Sequence, residues 1–260
     1  MNPTNSNLVL AAADEAQPEA DKPDPVEQAF QDVLQYEQGG TRKALAVLEN
    51  HINRTYGDAP ARKQIVGRLL EMLENPEASP GCKDFACKKL MLLAGPESVP
   101  ALAGLISDDE NLAVLGRYAL EQMPQPDAAA ALRDALGRAT GRVLIGVINS
   151  LGVRKDEQAV GVLVRLLADH DATVAGAAAA ALGKIGGKEA TGALRAARSK
   201  ATAGVKAEIR PALLACAESL LASGNKDGAE AIYRELSGED EPEWIRAVVQ
   251  EAVARLKAGS

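Results

Sequence analysis

Apolar residues return at three- and four-residue steps along most of this chain, and these steps are themselves grouped into longer units that repeat. Leu120, Leu151 and Leu182 are 31 apart, and each is followed by Glu or Gly. A second column, Leu102, Leu132, Leu163 and Leu194, keeps nearly the same beat at 30, 31 and 31. Two columns in step predict one repeated unit of paired amphipathic helices. Such a unit is too short to bury its own apolar face, so neighbours must stack into a solenoid with a continuous core.

The same periodicity places the elements. Val26, Phe30, Val33 and Leu34 predict a helix from Pro25 that Gly39-Gly40 ends, and Thr41 is expected to cap a second helix through Arg54. Further helices are predicted over 59–74 and 81–93, with Gly95-Pro96 as a break. Regular pairs follow at 96–107 with 109–122, 126–137 with 141–152, and 157–168 with 171–185. The pairs at 188–199 with 203–222 and 226–237 with 242–257 are less regular, because the step from Leu194 to its next equivalent, Ile232, lengthens to 38. Pro211 falls inside one of these helices and is expected to kink or restart it.

No run of β-branched residues alternates with period two, so no sheet is expected. The predicted fold is an all-α, right-handed superhelix of five to seven helix pairs over 25–260. It is read as irregular at 25–95, regular at 96–187 and irregular at 188–260, behind a flexible acidic tail over 1–24. In the last helix, Ile245, Val248, Val249, Ala252, Val253 and Leu256 spread beyond one narrow stripe, and Trp244 is the single tryptophan. An apolar face there is unusual for a capping repeat, so the chain reads as part of a longer protein or as one whose end docks elsewhere.

Composition refines this picture. Aromatic residues make up 3% of the chain and Ala dominates the small residues, which suits closely packed helices. The net charge of −7 is concentrated at the start: residues 1–38 hold eight of the 36 acids but only one, Lys22, of the 29 Lys and Arg. The remainder is formally neutral and lacks the basic stripe that gathers phosphate backbones, so nucleic acid is not expected as a partner. Nor is any apolar run long enough to predict a membrane span. Asn7–Ala13 resembles the end of a truncated secretory signal but has no basic residue before it, and the compartment, cytoplasmic or exported, stays open. Cys82, Cys87 and Cys216 lack metal-site spacing and read as buried, unpaired thiols.

The block from PESVPALAGLISDDENLAVLGRYALEQM to GKIGGKEATGALRAA resembles a short bacterial HEAT-like array of the phycobilisome-lyase type, over roughly residues 80–200. Within it, FACKKL, RYALE and GVINSLGVRKD are similar to HEAT regions of large exported proteins of planctomycetes and their relatives. The resemblance implies a curved scaffold with second helices lining its concave side and a protein or peptide in the groove. It also implies an alternative, a chromophore-attachment or chaperone factor that presents a tetrapyrrole or a client protein. The period of this chain is shorter than that of eukaryotic HEAT repeats.

At about 100° per residue, Val174, Ala178, Ala181, Leu182 and Ile185 share one arc, which is assigned to the core. The opposite arc holds Thr173, Gly176, Ala180 and Gly183. Shifting by one repeat gives Arg142, Ile145, Asn149 and Gly152, and shifting again gives Asn111, Val114, Tyr118 and Glu121. The expected docking surface is Asn111, Val114, Tyr118, Glu121, Arg142, Ile145 and Asn149, a mixture of apolar and hydrogen-bonding groups. The third repeat is nearly bare there, and its small residues would let another helix approach.

Chemistry finds little support. His51 and His170 are the two histidines, whereas HEAT-like enzymes of the deoxyhypusine hydroxylase type need several His-Glu pairs for their irons. HEAT-like DNA glycosylases have a basic groove, unlike this one. Gly183–Lys188 departs from the phosphate-loop spacing and follows a helix where a strand is required. Ser150 has no His or Lys base beside it and points toward the core. Arg154 and Asp156 are expected to bridge consecutive repeats at their turn, and Asp171 to start the helix that follows it. No catalytic, metal-binding or cofactor-binding residue is assigned, and no cofactor is expected.

Overall fold

The computed structural model describes residues 23–258 apart from Ala94 and Asp108, and the acidic tail expected over 1–24 therefore lies outside it except for Pro23 and Asp24. Fourteen α-helices and no strand occur among the described residues. They run α1 Pro25–Leu34, α2 Lys43–Arg54, α3 Ala59–Glu74, α4 Pro80–Leu93, α5 Val99–Gly104, α6 Glu110–Gln122 and α7 Pro126–Ala135. The second half continues with α8 Gly141–Val153, α9 Val160–Leu166, α10 Ala172–Ile185, α11 Gly187–Arg198, α12 Ala203–Ala222, α13 Lys226–Glu235 and α14 Glu243–Ala258. The chain is an all-α solenoid of antiparallel helix hairpins.

Both sequence columns are core. Leu102, Leu132, Leu163 and Leu194 have no exposed surface, and neither do Leu120, Leu151 and Leu182. Leu213, one repeat beyond Leu182, is equally buried. The second-helix column therefore continues through α12, and the irregularity after Leu194 resides in the length of that 20-residue helix. α12 runs through Pro211 as a single helix, in place of the expected kink or restart. Pro211 and Ala207, whose carbonyl loses its helical donor, are both exposed, on the side of the helix where such a loss costs least.

Among the described residues, six helices, α1, α3, α6, α10, α12 and α13, start on a side-chain capping bond. Asp109 accepts from the amides of Asn111 and Leu112, and Asp171 accepts from the Thr173 amide at 2.8 Å. These backbone bonds hold the Asp171 carboxyl below its usual range. Thr41 does not cap α2: the cap position is Arg42, which makes no side-chain capping bond. Gly186, in the left-handed region at φ 70°, turns the chain from α10 directly into α11.

The second helices α4, α6, α8, α10 and α12 pack successively on one another. These second helices form one continuous layer of the array. Two glycines set its spacing. A Cβ on Gly152 would sit 2.8 Å from the Ala181 Cα, and one on Gly183 would sit 2.6 Å from the Ala212 Cα. Gly152 and Gly183, expected on the open floor, are buried on the flank where the next helix packs. Gly176 is buried in the same way, against the Glu208 side chain.

Cys82, Cys87 and Cys216 are buried and unpaired. Burial pushes the Cys82 thiol up to about 11 and Cys87 up to about 12 from an ordinary value of 9.0. The folded thiols thus keep their protons after the unfolded ones release them, so these two groups lower stability as pH rises through that interval. At pH 8, alkylation by iodoacetamide should be confined to molecules that have unfolded, and become complete in denaturant. Mass spectrometry of the native protein showing rapid modification of Cys82 or Cys87 would contradict the packing.

Candidate functional site

The candidate surface spans α6 and α8, in the layer of second helices. Val114 and Tyr118 are one turn apart on α6 and remain 51% and 49% exposed, although both are large and apolar. Asn111 and Arg142 are exposed, while Ile145 and Asn149 are half-buried on α8. Between the two helices lies a crevice of about 190 Å³ lined by Glu110, Ala113, Val114, Arg117, Arg142, Val143 and Gly146. The structure thus brings Val114 and Arg142 to one depression and leaves Tyr118 beside it on the same helix. At its mouth Arg142 Nη1 lies 3.6 Å from Glu110 Oε2, both side chains being largely exposed. Such a pair contributes about 0–1 kcal/mol, so both charges stay available to a partner.

Glu121 belongs elsewhere. Its side chain is only 11% exposed, and it is drawn between the helices by Ser150 and Arg117. The Ser150 hydroxyl donates to Glu121 Oε2 at 2.7 Å, and Arg117 Nη1 donates to Ser150 Oγ at 2.7 Å and to Glu121 Oε2 at 3.3 Å. Helical angles put Glu121 on the open arc, but at the end of α6 that arc turns toward α8. Arg117 reaches this network across Gly146, where a Cβ would come within 2.9 Å of Arg117 Nε. Sequence reasoning missed Arg117, Val143 and Gly146. The available signal was the pairing of a glycine on one second helix with a long side chain on its predecessor.

The repeat explains what this network replaces. Glu121, Gly152 and Gly183 are equivalent positions in successive repeats, and so are Ser150, Ala181 and Ala212. A Glu–Ser hydrogen bond joins α6 to α8 where Gly–Ala contacts join α8 to α10 and α10 to α12. Replacing Ser150 by Ala, the residue found in the other two positions, should keep the fold and cost about 1 kcal/mol for the lost hydroxyl. Urea unfolding would measure it, and a loss above roughly 3 kcal/mol would mean that the hydroxyl does more than bridge.

Arg154 and Asp156 do join repeats, through different partners from those expected. Arg154 donates to the carbonyls of Leu120 at 2.8 Å, Glu121 at 3.0 Å and Gln125 at 3.3 Å, and to that of Met123. It therefore satisfies the end of α6 from the end of α8. Burial lowers its pKa, with Asp156 and Glu121 opposing the shift. Asp156 instead takes Arg133 of α7 at 2.5 Å and the Gln158 amide at 3.0 Å.

Ser150 is fully buried and its partners are an arginine and an acid already engaged, an arrangement that ties helices together. His170 is nearly fully exposed and lies 3.2 Å from Asp169. Among the described residues, no group of three His, Cys, Asp or Glu could hold a metal ion, and no helix is long and apolar enough to cross a membrane.

Stacked antiparallel hairpins with a short, regular repeat define an α-solenoid architecture. A family model of HEAT repeats matches residues 138–214, which include α8 to α11 and part of α12. Among solved structures, human deoxyhypusine hydroxylase in complex with glycerol is similar at 16% identity over 74% of this chain and 95% of that one, with a TM-score of 0.37. An engineered protein is similar at 20% identity over 89% of this chain and 68% of its own, with a TM-score of 0.41. A second engineered protein has 19% identity over 92% and 98%, with a TM-score of 0.27. None of these superpositions bears on function, and no curated protein matches the sequence significantly. HEAT repeats commonly serve as protein-interaction scaffolds.

Proposed function

We propose that this chain is a non-enzymatic scaffold that holds a protein or peptide segment across α6 and α8. The observation that carries the reading is the exposure of Val114 and Tyr118 on one face of α6, next to a crevice between stacked helices. A half-exposed tyrosine beside an apolar depression supplies rigid contact area at small entropic cost, as interface anchors do. Arg142 and Glu110 flank the crevice with opposite charges and can orient a polar segment. Asn149 and Asn111 add hydrogen-bonding groups to the same surface. At about 190 Å³ the crevice suits one partner side chain, and it is smaller than the roughly 300–1,000 Å³ of small-molecule sites. This size favours a protein segment over a tetrapyrrole.

A photo-crosslinking residue at position 118, with position 161 on the exposed side of α9 as control, tests the proposal in the native host. A protein adduct is expected at 118 and not at 161, and it should disappear when Val114→Asp is added. Equal adducts at both positions, or adducts insensitive to Val114→Asp, would remove the α6–α8 surface from consideration.

A further inference from the structure

The layer of first helices leaves a groove along α3. This helix has 16 residues, and α5, which packs against it in the same layer, has six. At 1.5 Å per residue they are about 24 Å and 9 Å long, so α5 covers only part of α3. Between α3, the end of α4 and the turn that enters α5 lies a groove of about 580 Å³. Val66, Leu70 and Leu93 give it an apolar floor, and Arg62, Lys63 and Glu97 stand around it. Hairpins are described on both sides of it, α1 with α2 and α5 with α6, so neither end of the chain accounts for the opening.

The charges of the groove are unbalanced. Among the described residues, neither Arg62 nor Lys63 makes an ion pair, and Arg62 Nε is buried without a hydrogen-bond partner. Glu97, the acid at the rim, is turned back on its own turn, where it accepts from the Gly95 amide at 2.9 Å. An occupant therefore needs neighbouring apolar residues for the floor and acids a few residues further on for Arg62 and Lys63.

One segment of this chain has that composition in that order. Leu8, Val9 and Leu10 form an apolar run, and Asp14 and Glu15 follow four and five residues after Leu10. Along α3 the matching order runs from Leu70 and Val66 to Lys63 and Arg62. Residues 1–22 lie outside the described residues, and the position of Asp24 fixes where they join the array. Asp24 lines the cleft on the other flank of α3 together with Ala61 and Gln64, and Gly67 borders both clefts. The path from Asp24 to the groove thus crosses one helix, about 10–12 Å wide. The chain from Leu10 to Asp24 can span up to about 46 Å, which is ample. A tether of this length gives an effective concentration in the mM range, so even a weak contact is occupied within one molecule. We propose that Leu8, Val9 and Leu10 of this chain fill its own α3 groove, with Asp14 and Glu15 on Arg62 and Lys63. The contact lies in the layer of first helices and is independent of the α6–α8 surface.

A nitroxide on Asn7→Cys in the full chain reads the contact through methyl NMR, since the native thiols are buried and escape labelling. The methyl signals of Val66, Leu70 and Leu93 should broaden, while those of Leu163 and Leu194, farther along the array, should not. Leu8→Asp with Leu10→Asp should lower the docked population at least roughly tenfold, because the floor then loses its apolar occupant. Arg62→Glu with Lys63→Glu should also weaken it, with unchanged helical circular dichroism. Adding Asp14→Lys with Glu15→Lys to that variant should restore the broadening, since opposite charges face each other again. Spin-labelled chains mixed with isotope-labelled chains that carry no nitroxide should show no broadening. Equal broadening in that mixture would put a second copy in the groove and overturn the proposal. Unbroadened Val66, Leu70 and Leu93 in the single chain, or a charge reversal that is not rescued, would overturn it as well.

Discussion

Replacing Gly183 by Val is expected to unstack α10 from α12 and to cost about 3 kcal/mol or more, at the upper end of the penalties for overfilling a packed interior. The new Cβ would lie 2.6 Å from the Ala212 Cα, 2.8 Å from its Cβ and 2.9 Å from its carbonyl oxygen. Two of those three atoms are backbone, so no rotamer change relieves the clash, and α12 must move as a body. Gly192→Ala is the matched control: on α11, a Cβ there meets nothing within 4 Å. That change should stabilise by about 0.5–1 kcal/mol through helix propensity alone. Urea unfolding followed by circular dichroism measures both, and a Gly183→Val protein within about 1 kcal/mol of the parent would show that the stack has slack. Because each repeat is held only by its neighbours, the variant should also divide the transition, with the segment after α10 unfolding first.

The second large effect is expected at Arg154. Its guanidinium collects the carbonyls of Leu120, Glu121, Met123 and Gln125, where α6 ends and its own backbone offers no donors. Arg154→Ala leaves these carbonyls unsatisfied inside the junction of two repeats and should cost about 3 kcal/mol. Arg154→Lys should recover less than half, because a single ammonium cannot reproduce the fork that spans several acceptors. Hydrogen exchange offers a spatial readout: protection should fall first at the end of α6, a full repeat away in sequence. If the exchange pattern changed only around residue 154, the side chain would be acting within its own turn.

A third clamp joins the last hairpin to the array. Glu241, with a side chain 4% exposed, takes Arg210 of α12 at 2.5 Å and Arg198 at the end of α11. Tyr233 adds a bond to Glu218 of α12 at 2.9 Å, and burial together with that acceptor pushes its hydroxyl up to about 12. These contacts hold α13 and the turn that leads into α14 against the array.

Much of this was legible in the sequence because burial along a helix follows a simple angular rule. The angles alone assign Val174, Ala178, Ala181, Leu182 and Ile185 to the core, and all five are buried. The assignment of the open face by the same rule is less accurate. Thr173 and Tyr118 are exposed, yet Gly176 and Gly183 are buried on the flank where the next helix arrives. A helical projection separates core from its opposite but contains nothing about where the neighbouring helix crosses. Glu121 fails for the same reason, its partner Ser150 lying on the next second helix.

Period and pattern by themselves determined the repeat, the helix pairs and the two leucine columns, because each depends on local angles and on the need to bury a face. Only the tertiary structure decided which small residues are contact points between helices and which polar residues are drawn into the stack. It also decided which arginine closes which helix end. Those outcomes depend on the offset and tilt between successive repeats, a few ångströms that no single helix encodes and that packing of the whole array fixes.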